Sequence, residues 1–372
     1  MTAPVPPQPH NGATHSSYVP LAGRILVVRL SAMGDIIHAM PAITAFRAAN
    51  PDLHIGWLVE ERWSELLCAR AGERHASPSQ LKPLADTVHV SNFRAWRRAL
   101  LSDESWREMA SLRRELRAMK YDLALDLQGS IRSALAAQAS GAAACVGSSQ
   151  PREKPASLFY TREVDPAGTH VVEQALAITS QVAGQLLRYV EPVFPVDSEA
   201  EAWAEKTLTA FGKKELIIVN PGAGWGAKCW PAESYAVVAR RLADRGFGVV
   251  INHGPGEEAL ASAVQEASGK SAAPLKCSVG ELIALTRRAS LFIGGDTGPM
   301  HLAAALRIPV VALFGPTRPD RNGPYQTKNV VLRSAESVDN SSHVAHPDAG
   351  LLSIDPQAVV DAADRLLGGT LG

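Results

Sequence analysis

Residues 289–305 of this 372-residue chain read ASLFIGGDTGPMHLAAA. The apolar run, the glycine turn and the alanine-rich stretch that opens at Pro299 predict a buried strand, a tight turn and a helix. The first amides of such a helix lack intrahelical partners and lie at the positive end of the helix dipole. The stretch therefore predicts either a phosphate-binding turn or a helix of an α/β core that Asp296 or Thr297 merely caps.

The same strand–turn–helix pattern recurs in two series along the chain. Strands are predicted at residues 24–30, 54–59, 87–90 and 123–127 in the first series, and at 215–220, 247–252, 291–293, 310–314 and 330–332 in the second. Strands that alternate with helices predict parallel, doubly wound sheets. We therefore expect an α/β fold of two Rossmann-like domains that face a cleft, residues 21–190 and 199–372, joined by the proline-containing segment 189–198. The last helix, 356–367, is expected to cross back to the first domain.

Composition narrows the class of protein. Lysine plus arginine and aspartate plus glutamate both total 37, so no global charge favours a nucleic-acid partner. The four cysteines form no C-x-x-C pair, which favours reduced thiols over a zinc site. Residues 1–20 are polar and proline-rich and lack the apolar core of a signal peptide, so they predict a disordered leader. No apolar run reaches about 18 residues, so we expect no membrane span, and the reduced thiols favour a cytoplasmic protein.

Asp35 follows the first predicted turn, at the start of a helix. An acid at this position usually complements the helix dipole. A carboxylate that faces a cleft can also take a proton from an attacking hydroxyl. Because Ser31 already offers a cap, the helix is not expected to need Asp35, which favours the role of general base.

Lys228 lies in a second glycine loop, NPGAGWGAKCWP at residues 220–231, directly after a predicted strand. A lysine there predicts a contact that neutralises a leaving diphosphate, and an exposed lysine on a mobile loop is the ordinary alternative. The loop also fits the dinucleotide fingerprint G-x-G-x-x-A, which leaves a nicotinamide-dependent oxidoreductase open. Two features count against that enzyme: the next helix begins only near Pro231, and the next strand ends in Asn252 and His253 instead of an acid.

Further candidates lie at other strand ends. His301 falls one helical turn after Thr297 and is assigned a binding or orienting role, although a packed histidine is commoner. Glu257 either holds ribose hydroxyls or simply begins a helix.

Residues 91–120 hold eight lysine and arginine residues against four acids, a local excess of positive charge. Arg94, Arg97 and Arg98 are expected to precede a helix and can bind an acidic acceptor, whereas most charge runs are solvated helix faces. Arg132 lies in another strand-end loop of the same domain.

Five separated motifs together resemble one family. They are RLSAMGDIIHAMPA at 29–42, DLQGSIRSA at 126–134, REKPASLFY at 152–160, KCWP at 228–231 and DTGPMHLAAAL at 296–306. In this order they resemble the ADP-heptose:lipopolysaccharide heptosyltransferases, most closely the heptosyltransferase I branch, which adds the first heptose to a Kdo sugar of the inner core. The resemblance implies a GT-B fold, with the donor held mainly by the C-terminal domain and the acceptor by the N-terminal domain.

The resemblance also implies a single displacement that inverts the anomeric centre, and it implies roles for individual residues. Asp35 would be the general base. The donor, ADP-heptose, would be bound by Met33, Gly34, Lys228, Glu257, Asp296, Thr297, Gly298 and His301. The acidic groups of a Kdo-containing lipid A acceptor would meet Arg94, Arg97, Arg98 and Arg132. No metal and no cofactor are expected, because the lysine and the helix amides can neutralise the diphosphate.

The resemblance also implies a place in the cell. A lipid-linked acceptor implies peripheral association with the inner face of the cytoplasmic membrane, to which basic side chains add attraction.

Some alternatives to a heptosyltransferase I remain open from the sequence. A heptosyltransferase II or III that acts on a heptose acceptor is the nearest alternative. The oxidoreductase and a non-catalytic protein that binds nucleotide sugar or lipopolysaccharide are more remote. Glycine-rich residues 222–227 and the uncertain alignment of Glu257 depart from the pattern of the branch.

Overall fold

A computed structural model describes residues 23–99, 102–212, 215–339 and 346–368. The predicted leader, residues 1–20, lies outside these ranges. Two parallel six-stranded sheets organise the described residues, one in each half of the chain. Within these ranges no helix combines the length and the apolar character that a membrane span requires.

The N-terminal domain is built on a sheet of order β3-β2-β1-β4-β5-β6, in which neighbouring strands are parallel. Val27 lies opposite Trp57 and Leu125 on the two adjacent strands, and all three side chains are buried because helices cover both faces of the sheet. The strands are β1 (Arg24–Val28), β2 (His54–Glu60), β3 (Thr87–Ser91), β4 (Leu123–Asp126), β5 (Ala144–Ser148) and β6 (Arg162–Val164). The helices are α1 (Met33–Ala49), α2 (Phe93–Arg98), α3 (Asp103–Ala118), α4 (Ile131–Ala139) and α5 (Val171–Ala183).

The C-terminal domain repeats this plan with the strand order β12-β11-β10-β7-β8-β9. Residues 186–197, which connect the two halves, form neither helix nor strand. The strands are β7 (Leu216–Asn220), β8 (Gly248–His253), β9 (Ala273–Lys276), β10 (Ala289–Gly295), β11 (Val310–Phe314) and β12 (Asn329–Arg333). The helices are α6 (Ser198–Ala210), α7 (Ala232–Asp244), α8 (Glu258–Ala267), α9 (Val279–Thr286), α10 (Gly298–Ala305), α11 (Pro319–Asn322), α12 (Ala349–Leu352) and α13 (Pro356–Leu367).

In each sheet the strand order reverses between two central strands, β1 and β4 or β7 and β10. Ligands of open α/β sheets bind beyond the carboxyl ends of the strands at such a switch point. The segments that follow three of these strands, β1, β7 and β10, carry Met33, Lys228 and Asp296, respectively. The fold therefore places most of the predicted donor residues where a ligand is expected.

The position of the last helix differs from the one that the sequence led us to expect. Residues 356–367 form α13 as predicted, but α13 packs on the C-terminal domain and does not cross to the first one. Val359 and Val360 join the core of the second sheet. Arg245 of the α7 C-cap pairs with Asp364, which ties the outer side of α13 to the same domain.

Candidate functional site

The first turns of α1 and α10 meet at the boundary between the two domains. A Cβ built on Gly34 would lie 2.5 Å from Cδ2 of His301, and one on Gly298 would lie 2.6 Å from Cβ of Met33. The two glycines therefore allow a helix of each domain to approach the other closely. Met33 and Gly34, assigned to donor binding, lie directly against the turn that opens α10.

Replacing Gly298 by alanine is expected to lower the free energy of unfolding by about 1–3 kcal/mol, because the added methyl group forces Met33 or the backbone to move. Urea titration followed by circular dichroism measures the change. Gly368→Ala is the matched control, since no atom lies within 4 Å of a Cβ built there. Equal stability of the two variants would contradict the close approach of α1 and α10.

The turn before α10 holds a buried carboxylate with two partners. Nζ of Lys228 lies 2.6 Å from Oδ2 of Asp296, and Nε2 of His301 lies 3.0 Å from Oδ1. Burial by itself raises the pKa of Asp296, but His301 and Lys228 outweigh this effect and hold the pKa below its ordinary value. Asp296 is therefore ionised, and it brings Lys228 from the loop after β7 to the turn after β10.

Neither candidate side chain caps α10. Thr297 is the N-cap residue, but its hydroxyl makes no capping hydrogen bond and donates to the Gly295 carbonyl at 3.3 Å. Asp296 is engaged with the lysine and the histidine. Without a side-chain cap on the helix, the N-terminal end of α10 and the adjacent cation are suited to bind an anion.

His38, which the sequence did not single out, extends this network into the N-terminal domain. Its Nε2 atom lies 3.0 Å from Nδ1 of His301, and both side chains are buried. Burial first, and then His301 and His170, lower the pKa of His38 well below its ordinary value, so the imidazole is neutral. Its position three residues after Asp35, on one face of α1, was the one signal available in the sequence.

A neutral buried histidine makes stability depend on pH. The folded state lowers the pKa of His38 from its ordinary value of 6.5, so the unfolded chain binds more protons as the pH falls below that value. We expect the free energy of unfolding to decrease from about pH 7 to about pH 5, by at most ~1.4 kcal/mol per pH unit for this group. Urea titrations at both pH values measure the decrease. A decrease equally large in His38→Asn would show that His38 does not cause it.

Asp35 lies in the first turn of α1 with 36% of its side chain exposed. Its Oδ1 atom is 3.2 Å from Nη2 of Arg29, and its Oδ2 atom accepts the Ala32 amide at 3.1 Å. The expectation that Ser31 caps the helix is wrong, because α1 begins at Met33 and Ala32 is its N-cap residue. Asp35 therefore contributes to capping, but a carboxylate has about four acceptor positions and so retains room for a hydroxyl.

A polar cavity of about 350 Å³ is lined by Asp35 and His38. Helices α1 and α5 and the strand-end loops of the N-terminal domain supply most of the lining, and Arg321 and Asn322 reach it from the C-terminal domain. A partly exposed carboxylate beside a polar cavity is the arrangement that general-base catalysis on a bound hydroxyl requires. Across the described ranges, no group of three or more histidine, cysteine, aspartate or glutamate side chains could hold a metal ion.

Glu257 lies between two strand-end loops of the C-terminal domain. Its Oε2 atom accepts the Gly254 amide at 2.7 Å, and a Cβ on Gly222 would lie 2.2 Å from its carboxylate. Glu257 is also the N-cap residue of α8, without a side-chain capping bond. It thus precedes a helix, as one interpretation predicted, and its carboxylate lies beside the glycine loop after β7, as a ribose-binding role requires.

The arginines assigned to the acceptor lie in a different part of the N-terminal domain. Arg94, Arg97 and Arg98 precede the helix α3, as expected, but they also lie in a short helix of their own, α2, where their side chains are exposed. Arg94 and Arg98 line a second pocket, of about 310 Å³, which shares no lining residue with the cavity at Asp35. Arg97 does not line it.

Glu60 and Arg62, which no motif in the sequence indicated, also line this second pocket. The buried Glu60 carboxylate lies 3.3 Å from Nε of Arg62 and 3.6 Å from Nη1 of Arg132. Arg132 is therefore connected to the pocket through Glu60. The sequence could have indicated Glu60, because this residue lies at the end of a predicted strand, where parallel sheets carry ligand-binding residues.

Comparison with known proteins identifies the family. Residues 109–347 match the model of glycosyltransferase family 9 (heptosyltransferase). The chain belongs to this family. A lipopolysaccharide heptosyltransferase 1 from Pseudomonas aeruginosa is 32% identical over 328 residues, which are 84% of either chain. A lipopolysaccharide heptosyltransferase 1 from Escherichia coli K12 is 28% identical over 92% of this chain and 100% of the relative.

A solved heptosyltransferase structure agrees with the architecture. It is E. coli heptosyltransferase WaaC with ADP-2-deoxy-2-fluoro heptose, which matches with a TM-score of 0.69 and 27% identity over 92% of this chain and 99% of WaaC. The expected GT-B fold of two Rossmann-like domains is confirmed. This family 9 protein is a glycosyltransferase, so the oxidoreductase suggested by the glycine loop and the non-catalytic binding protein are both set aside.

Proposed function

We propose that this protein transfers heptose from ADP-heptose to a Kdo sugar of the lipopolysaccharide inner core, as a heptosyltransferase I. The observation that carries the proposal is the pair of sites on facing domains: a partly exposed carboxylate, Asp35, on one, and a cationic, uncapped helix end at Lys228 and Thr297 on the other. The relatives described above are named lipopolysaccharide heptosyltransferase 1, which supports this branch.

In this proposal the diphosphate of ADP-heptose lies at the N-terminus of α10. The amides of Thr297 and Gly298 donate to phosphate oxygens, and Lys228 gives up part of its contact with Asp296 to reach them. His301 holds the Asp296 carboxylate in place. Met33 and Gly34 border the site from the N-terminal domain, and Glu257 binds the ribose hydroxyls beside the loop after β7.

The reaction is a single displacement. Asp35 takes the proton of the acceptor hydroxyl, and the oxygen forms a bond to the anomeric carbon of heptose while the bond from that carbon to the diphosphate breaks. The electron pair of the broken bond leaves with ADP, and Lys228 and the helix amides stabilise its charge. Because the hydroxyl attacks opposite the leaving group, the anomeric centre is inverted.

The arginines of α2 contribute on the acceptor side. Arg94 and Arg98, with Arg132 behind them, bind acidic groups of a Kdo-containing lipid A acceptor, and the exposed Arg97 faces anionic lipid. Peripheral association with the inner face of the cytoplasmic membrane follows from this charge. Sedimentation with anionic vesicles should carry the protein down at low salt and release it at high salt. Equal sedimentation with neutral vesicles would argue against it.

Comparison of two acceptors tests the proposal. The protein is incubated with ADP-heptose and either a Kdo-terminated or a heptose-terminated lipid A acceptor. The molecular masses of the products are then measured by mass spectrometry. We expect one heptose to be added to the Kdo-terminated acceptor only. Transfer to the heptose-terminated acceptor alone would identify a heptosyltransferase II or III instead.

A further inference from the structure

The cavity beside Asp35 is lined by five charged side chains. Asp35 and Asp126 contribute acidic groups, and Arg29, Arg152 and Arg321 contribute guanidinium groups. Arg321 is the only one of the five that comes from the C-terminal domain. The cavity can bind a ligand only through those charged groups that do not already have partners within the protein.

Three of the five charges are already engaged. Arg29 pairs with Asp35 at 3.2 Å and donates to the backbone carbonyl of Leu127. Asp126 is buried and accepts four hydrogen bonds. These come from the amides of Gln128 and Gly129 and the hydroxyls of Ser133 and Tyr160, at 2.8–3.1 Å. Arg29 and Asp126 therefore fix the shape of the cavity and leave little capacity for a ligand.

Arg152 and Arg321 remain. Both side chains are exposed, and neither makes an ion pair with any residue that the structure describes. Two guanidinium groups that line one cavity without a carboxylate partner favour an anionic ligand, which each can bind through two parallel hydrogen bonds.

The backbone that carries each arginine is held in place. The Glu153 amide donates to the Gly129 carbonyl at 2.9 Å, and the Glu153 carboxylate accepts the Ile131 amide at 2.9 Å, which attaches the segment around Arg152 to the start of α4. A Cβ on Gly129 would lie 2.9 Å from the amide nitrogen of Arg152, so the two segments are in close contact.

Arg321 is held across the domain boundary. Nε2 of His170, the N-cap residue of α5, donates to the Gly323 carbonyl at 3.0 Å, and its Nδ1 atom accepts the Val172 amide. The His170 ring also lies 4.5 Å from the Tyr325 ring, measured between centroids. Both nitrogens of His170 are thus engaged, and they fix the segment that carries Arg321 against the N-terminal domain.

We propose that Arg152 and Arg321 bind one carboxylate of the acceptor sugar, one arginine from each domain, and so hold the acceptor in the cavity beside Asp35. This inference rests on the proposed function and adds a subsite to it. Because Arg321 reaches the cavity from the donor-binding domain, the acceptor is bound fully only when the two domains are in contact. The pocket at Arg94 and Arg98 then binds other acidic groups of the same acceptor.

A binding and kinetic comparison tests the subsite. Arg321→Gln and Arg152→Gln are compared with Arg318→Gln, a control on the same segment whose guanidinium pairs with Asp320 and does not line the cavity. Acceptor affinity is measured by calorimetry on the ADP-bound protein, and KM and kcat by ADP release. Loss of one charged hydrogen-bonding partner should raise the acceptor Kd and KM about 10- to 100-fold for either cavity variant, with kcat at saturation and ADP affinity unchanged.

The same measurements with a methyl-ester acceptor identify the group that is bound. Wild type and Arg321→Gln should then bind with equal affinity, because the ester has no negative charge for the arginine to pair with. A cavity variant that behaves like Arg318→Gln, or a penalty that persists with the ester, would overturn the subsite. If wild type binds the acid through Arg321 but transfers no heptose, only the proposed function fails. If wild type transfers heptose and Arg321→Gln binds normally, only the subsite fails.

Discussion

Replacing Asp35 by asparagine is expected to lower kcat for heptose transfer by about 10²- to 10⁴-fold, because an amide cannot take the proton of the acceptor hydroxyl. Asparagine keeps the size of the side chain and an oxygen that can accept the Ala32 amide, so α1 should retain its cap. ADP affinity should stay within about twofold, since the diphosphate is bound by the other domain. Steady-state ADP release and calorimetric titration with ADP measure the two effects.

Asp122→Asn is the matched control for this variant. The Asp122 carboxylate also accepts a backbone amide, that of Arg24 at 2.7 Å, but it does not line the cavity. It is expected to keep kcat near the wild-type value. If Asp35→Asn also retained near-normal kcat, Asp35 would not be the base. If it lost ADP affinity together with kcat, the loss of turnover would have a cause other than proton transfer.

The second large effect is expected at Lys228. Only 15% of its side chain and 6% of that of Asp296 are exposed, so Lys228→Met leaves a buried carboxylate with His301 as its remaining partner. Breaking a buried pair in this way should cost about 3–5 kcal/mol of stability. Removal of the cation from the leaving diphosphate should lower kcat by a further ~10²- to 10³-fold in the protein that remains folded. Urea titration and ADP release at saturating donor measure the two losses separately.

Lys276→Met gives the corresponding surface comparison. Lys276 pairs with Glu258 at 3.1 Å, but the two side chains are 61% and 52% exposed, and such pairs contribute at most about 1 kcal/mol. We expect this variant to unfold at nearly the wild-type urea concentration and to transfer heptose normally. Equal stability and equal kcat for Lys228→Met and Lys276→Met would mean that the buried pair has neither of the roles assigned to it.

Much of the fold could be predicted because its central strands are continuous apolar runs. The strand at Val310–Phe314 and the helix at Pro356–Leu367 have the predicted bounds. The strands that were missed, β5, β6 and β9, have the sequences ACVGS, REV and APLK, which contain few large apolar residues. β6 and β9 are edge strands, which pair on one side only and so tolerate polar residues and a proline.

The candidate site could be predicted only in part, because its contacts join distant segments. Glycine turns after strands indicated Lys228 and Asp296 separately, but their ion pair spans 68 positions. The contact between His38 and His301 spans 263 positions and depends on how the domains meet. The spacing of residues within one short motif does not predict contacts between such distant segments. The capping role of Asp35 was missed for a smaller reason, since α1 begins two residues after Ser31.

A crystal structure with ADP-2-deoxy-2-fluoro heptose and a Kdo-containing acceptor tests most directly whether the two facing sites serve one reaction. We expect diphosphate oxygens within about 3.2 Å of Lys228 and of the first amides of α10. The acceptor hydroxyl should lie about 2.6–3.2 Å from the Asp35 carboxylate and face the anomeric carbon opposite the leaving group. A diphosphate bound away from α10, or a hydroxyl that meets a different base, would contradict the proposed mechanism.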